Sequence, residues 1–155
     1  MAQEIERKFL VTGDAWRGQV RSSARYRQGY LSNGDRCSVR VRVAGDEAYL
    51  NIKSATLDIV RTEYEYPIPV TEAKEMLDQL CSGLLIEKTR HFVDYGGHVW
   101  EIDVFEGENR GLVIAEIELD RRDAEFLRPP WVAAEVSDDP RYYNVYLARV
   151  PYSRW

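Results

Sequence analysis

The chain has 155 residues, 21 Lys and Arg against 26 Asp and Glu, a net charge of −5 and an isoelectric point near 5.2. That length suits one domain, residues 1–155, with a core that needs no disulfide or metal staple. The acidic balance argues against general nucleic-acid binding, which rests on a net basic surface. Cys37 and Cys81 form no C-x-x-C pair, the pattern expected of reduced thiols in a cytoplasmic protein. With no basic-then-apolar leader and no apolar run near the roughly 20 residues that cross a bilayer, the expectation is an unexported protein with no membrane partner.

Strand-like alternation dominates the first three quarters and predicts strands over 2–11, 24–31, 36–44, 47–54, 59–67, 86–95, 98–105 and 112–119. Asn33-Gly34-Asp35, Gly45-Asp46 and Gly96-Gly97 are hairpin signals. Residues 71–80 predict a helix, with Thr71 as its N-cap and Ala73, Met76, Leu77 and Leu80 at helical spacing. Asp120–Leu127 predicts a second helix stopped by Pro129-Pro130, and Pro140–Arg149 a third with Pro in its first turn. Eight antiparallel strands with a few helices outside predict a mainly β fold: a closed antiparallel barrel, because closure removes exposed edges, with a C-terminal helix.

Alternate residues of a strand share a face. The opening Glu4-Ile5-Glu6-Arg7-Lys8 therefore sets Glu4, Glu6 and Lys8 together, with Ile5 and Phe9 behind. The same phase recurs: Arg40 with Arg42; Tyr49, Asn51 and Lys53; Arg61, Glu63 and Glu65; Lys88 with Arg90; Glu101 with Asp103; Glu116 with Glu118. A wet sheet face is the commoner cause of such alternation in any one strand. Two features oppose it for the set. Acids and bases segregate by strand, whereas solvated faces intersperse signs. The opposite faces (Val39, Val41 and Val43; Trp100, Ile102 and Val104; Ala115, Ile117 and Leu119) are apolar enough to pack outside the barrel and turn the charges inward.

An inward-facing set of eight acids and seven bases is costly without compensation. A polyphosphate with its metal ions supplies it, since carboxylates are hard oxygen ligands for Mg²⁺ or Mn²⁺ and Arg and Lys clamp phosphate. His91 lies out of phase with Lys88 and Arg90, and Arg25 and Arg27 with Tyr30, so these are expected outside the lumen; Gln28 shares it with Tyr30.

The blocks Glu4-x-Glu6-x-Lys8, Arg27-Gln28-Gly29-Tyr30-Leu31, Arg40-x-Arg42, Ile52-Lys53-Ser54, Arg61-x-Glu63-x-Glu65, Glu87-Lys88-Thr89-Arg90, Glu101-Ile102-Asp103, Glu116-Ile117-Glu118 and Arg141-Tyr142-x-Asn144 resemble, in order, those of the CYTH or triphosphate tunnel metalloenzyme superfamily. The resemblance implies an eight-stranded tunnel hydrolysing a triphosphate with Mg²⁺ or Mn²⁺, two ions, and a small-molecule substrate, the protein being a monomer or homodimer. It implies Glu4, Glu6, Glu63, Glu65, Glu101, Asp103, Glu116 and Glu118 as metal ligands, and Lys8, Arg40, Arg42, Lys53, Arg61, Lys88 and Arg90 as phosphate holders. Lys88, or Lys8 aided by Tyr30, is the candidate general base. Inorganic tripolyphosphate is the expected substrate, ahead of adenylate cyclisation, thiamine triphosphate hydrolysis and a non-catalytic polyphosphate or nucleotide sensor.

Overall fold

The computed structural model describes residues 2–155. Its elements are β1 (Gln3–Val11), β2 (Val20–Asn33), β3 (Cys37–Ala44), β4 (Glu47–Ser54), β5 (Val60–Ile68), α1 (Val70–Gln79), β6 (Ser82–Tyr95), β7 (His98–Phe105), β8 (Val113–Glu118), β9 (Val132–Glu135) and α2 (Asn144–Leu147). Eight strands form a closed antiparallel ring in the order β1-β5-β4-β3-β2-β6-β7-β8, with β8 returning to β1. β1 changes neighbour along its length. Residues 3–5 pair with β5 and Phe9 and Val11 with β9, while Glu6 to Leu10 pair with β8. Gly45 and Gly96, at φ +62° and +59°, take the left-handed conformation that the β3–β4 and β6–β7 hairpins require.

The main core lies outside the ring. Ile5 and Phe9 of β1, Trp100 and Ile102 of β7, and Ala115 and Ile117 of β8 turn outward beneath Trp16 and Trp131. Phe9 and Trp131 meet the Trp100 ring edge-on, at 5.6 and 5.7 Å between centroids. A smaller cluster sets Val41 of β3 and Ala48 of β4 under Ala73 and Leu77 of α1. Each large apolar side chain so buried stabilises the fold by about 1.5–3 kcal/mol, and strand parity then leaves the alternate, charged residues no face but the inner one. A third cluster differs in being inside. Ile86, Phe105 and Ile114 share the phase of the lumen charges on β6, β7 and β8, and Leu147 and Ala148 pack on them. α2 thereby stoppers one end of the barrel.

Three predicted elements are corrected. Residues 120–127 form no helix: Ala124 and Phe126 both pack on the outer core two residues apart, the spacing of extended chain. Arg122 is also pinned by a two-armed ion pair to Asp58. The predicted helix over 140–149 is split into a single 3₁₀ turn and the four-residue α2, because Tyr143 between them is extended (φ −87°, ψ 140°). Its hydroxyl donates to the Ser137 carbonyl at 2.7 Å, a contact that fixes that conformation. Finally, α1 begins one residue before Thr71, with Pro69 at its N-cap. No helix is long and apolar enough to cross a membrane.

Candidate active site

A cavity of about 290 Å³ occupies the lumen. Every predicted site residue lines it except Asp103, which lies fully buried behind the wall. Asp103 accepts from Lys88 Nζ at 2.6 Å and from Arg90 Nε and Nη2 at 2.7 and 2.9 Å. All its oxygens are engaged by these cations, so it acts as their counter-ion. Tyr30 stands at the boundary between the charges and the apolar stopper. Arg25 and Arg27 are outside, paired with Glu87, Glu106 and Asp78. His91 is also outside, against Trp16 and hydrogen-bonded to Ser23.

The carboxylates crowd on β1, β5, β7 and β8. Glu6 faces Glu118 directly across the β1–β8 pairing, and Glu116 lies two residues along. Lys8 spans this cluster, 2.9 Å from Glu116 and 3.4 Å from Glu6, while Lys53 reaches Glu4 at 3.1 Å and Glu63 at 3.2 Å. These ammoniums do not suffice. Burial, and then the charge of Glu116, push the Glu6 carboxyl up to about 8. Burial raises Glu118 and Glu101 as well, Glu118 further through Glu4. Glu116 is held well below the usual range, because Lys8, Arg90 and Lys88 outweigh its burial.

The opposite condition holds on β3 and β5. Among the described residues no carboxylate lies within ion-pair distance of Arg40, Arg42 or Arg61, whereas Lys8, Lys53, Lys88 and Arg90 are all paired. Arg40 is only 7% exposed and its Nε has no hydrogen-bond partner. Arg42 donates from Nε to Gln28 Oε1 at 2.7 Å, and burial together with Arg40 and Arg90 lowers its guanidinium to about 10. Unpaired cations facing a cavity, Arg40 buried and Arg42 and Arg61 half-buried, await an anion.

The two lysines differ. For Lys8, burial is the largest influence and would lower its pKa, but Glu116 and Glu6 overcome it and hold the ammonium above the usual lysine range. Lys88 is brought down to about 7 by burial and by Arg90 and Arg42, against the pull of Asp103.

Several further groups reach the lumen. Tyr26, in phase with Gln28 and Tyr30, lies with its ring 4.6 Å from the Arg42 guanidinium carbon and 5.0 Å from that of Arg90. Tyr143 and Asn144 enter from the C-terminal segment. The Tyr143 ring centroid is 4.8 Å from Lys8 Nζ and 5.0 Å from the Arg61 guanidinium carbon, and Asn144 Oδ1 accepts from Lys88 at 3.1 Å. A predicted helix over 140–149 hid both, since only the break at Tyr143 turns them inward.

Among the described residues no three Asp, Glu, His or Cys side chains converge as a ready metal cage; lysine and arginine draw the carboxylates apart into ion pairs. The donor chemistry nevertheless suits a hard divalent ion, being all carboxylate oxygen. Glu6 and Glu118, both raised by burial and by neighbouring carboxylates, are groups whose ionisation such an ion would favour.

A model of the CYTH domain matches residues 2–143. The inorganic triphosphatase of Acetivibrio thermocellus is 48% identical over 155 residues, covering 100% of this chain and 99% of that protein. The inorganic triphosphatase of Nitrosomonas europaea is 39% identical over 149 residues, covering 94% and 96%. Among solved structures, the crystal structure of an inorganic triphosphatase superposes with a TM-score of 0.69 at 37% identity, covering 96% of this chain and 95% of that one. A family model that runs from β1 into the C-terminal segment, with relatives aligned nearly end to end, makes this chain a member of the CYTH domain family.

Proposed function

We propose that the protein hydrolyses the terminal phosphoanhydride of a triphosphate, above all inorganic tripolyphosphate, with Mg²⁺ or Mn²⁺ as cofactor, giving pyrophosphate and phosphate. The observation that carries this reading is the imbalance within one cavity. Among the described residues Arg40, Arg42 and Arg61 have no ion-pair partner, while burial raises the Glu6, Glu101 and Glu118 carboxyls above their ordinary range. A metal alone would satisfy only the acids, and a polyanion alone only the guanidiniums. A metal-bound triphosphate satisfies both. The two curated relatives named inorganic triphosphatases support the same substrate class.

In this reading Glu4, Glu6, Glu63, Glu65, Glu101, Glu116 and Glu118 are the residues available to hold divalent ions, whose chemistry is to neutralise phosphate oxygens and acidify water. Arg40, Arg42 and Arg61 take the phosphate oxygens left uncovered, and Lys53 and Arg90 reach the same space from their carboxylate partners. Lys8, held protonated by Glu116 and Glu6, stabilises charge but cannot accept a proton. Lys88, near 7, can take one from the attacking water at Nζ, and a base poised near the working pH is the most effective kind. Lys88 is therefore preferred to the Lys8 and Tyr30 pair.

The test offers purified protein tripolyphosphate, ATP and thiamine triphosphate with Mg²⁺ or Mn²⁺, and measures phosphate, pyrophosphate and cyclic AMP. Phosphate with pyrophosphate from tripolyphosphate is expected. Cyclic AMP with pyrophosphate from ATP would overturn the hydrolase reading, and binding without turnover would replace it by a sensor.

A further inference from the structure

Lys88 is held from two sides. Its Nζ donates to Asp103 at 2.6 Å and to Asn144 Oδ1 at 3.1 Å. With the bond to its own side chain, these contacts fix three of the four tetrahedral directions at nitrogen, and Lys88 also lines the cavity. The Asn144 side is itself built. Asn144 Oδ1 accepts a second bond, from Gln28 Nε2 at 3.0 Å, and Gln28 Oε1 accepts from Arg42 Nε at 2.7 Å.

The direction of this chain follows from chemistry. A guanidinium only donates, so the Gln28 oxygen must face Arg42 and its amide nitrogen must face Asn144. That nitrogen in turn requires the Asn144 oxygen, the atom Lys88 also needs. Gln28 is fully buried, so neither amide can turn over without leaving a buried group unpaired. The far end is equally fixed. Asn144 begins α2, whose Leu147 is fully buried in the stopper, and the Ala148 carbonyl accepts from the Leu84 amide at 2.8 Å.

We propose that Gln28 and Asn144 are positioning residues for the reaction: they link Arg42 to Lys88 and aim the remaining direction of Lys88 Nζ into the lumen. The inference rests on the hydrolase reading and gives the C-terminal segment a role in rate beyond closing the barrel. A group misplaced by about an ångström loses rate far more than it loses binding.

The test compares kcat and KM for tripolyphosphate in the wild type, Asn144→Ala, Gln28→Met, Lys88→Ala and the double variant Asn144→Ala with Lys88→Ala, each checked for a cooperative thermal melt. Asn144→Ala is expected to lower kcat at least tenfold and the near-isosteric Gln28→Met several-fold, with KM within about twofold. In the Lys88→Ala background, Asn144→Ala should cost no further activity, because nothing remains to be aimed. Multiplicative losses in the double variant, or single variants within twofold of the wild type, would overturn the inference alone. A wild type inert toward tripolyphosphate would defeat the hydrolase reading and this inference with it.

Discussion

Arg40 shows, in a single side chain, a cavity built for a ligand at the expense of the fold. Its guanidinium is buried on β3 with no partner for Nε and, among the described residues, no carboxylate within ion-pair distance. A buried donor left unsatisfied in this way costs about 1–3 kcal/mol. Arg40→Met, similar in length and apolar, should therefore raise the melting temperature while lowering kcat/KM for tripolyphosphate at least tenfold; a variant that loses both stability and activity would show Arg40 to be structural. Glu6 presents the mirror case. Glu6→Gln keeps the shape of the protonated carboxyl, so the metal-free protein should melt within about 2 °C of the wild type at pH 6, while its affinity for Mn²⁺, measured by titration calorimetry, falls at least tenfold.

At the scale of elements, legibility followed burial. β7 was plain from sequence because Trp100 and Ile102 are fully buried on one face while Glu101 and Asp103 take the other, so period two is strict. β2 and β6 each start four residues earlier than alternation indicates, at Val20 and Ser82. The β2–β6 pairing contains register shifts that break parity there. The four-residue β9 was not legible at all, since it exists only because β1 leaves its edge open beyond β5. The site was legible wherever a charge faced inward from a regular strand. Asp103 met the parity test yet lies behind the wall, since phase gives the side of a sheet and not the depth of a side chain. α2, whose four residues carry little intrinsic helix preference, is held by tertiary contacts. Leu147→Ala should accordingly cost about 2–5 kcal/mol in denaturant unfolding and depress activity through Asn144. Full activity at unchanged stability would show that α2 need not be docked.

For the whole molecule, the lumen sets how stability responds to pH and metal. The Glu6 carboxyl is raised from its ordinary 4.5 to about 8, so between those values the native state binds more protons than the unfolded chain, and stability falls as pH rises through that window. Lys88, lowered from 10.5 to about 7, has the opposite sign: the unfolded chain binds more protons from 7 to 10.5, and stability rises there. In EDTA the melting temperature should thus decline from pH 5 to pH 7 and flatten above it. Saturating Mg²⁺ or Mn²⁺ should remove most of the decline by favouring ionised Glu6. A metal-free melting temperature that rises between pH 5 and pH 7 would contradict this account.

The stopper of Ile86, Phe105, Ile114 and Leu147 fills one end of the lumen with apolar side chains. Hydrocarbon offers a phosphate oxygen no hydrogen bond, so a linear polyanion can advance along the barrel only as far as that plug. The plug is then a ruler, and the length of the phosphate chain itself decides what fits.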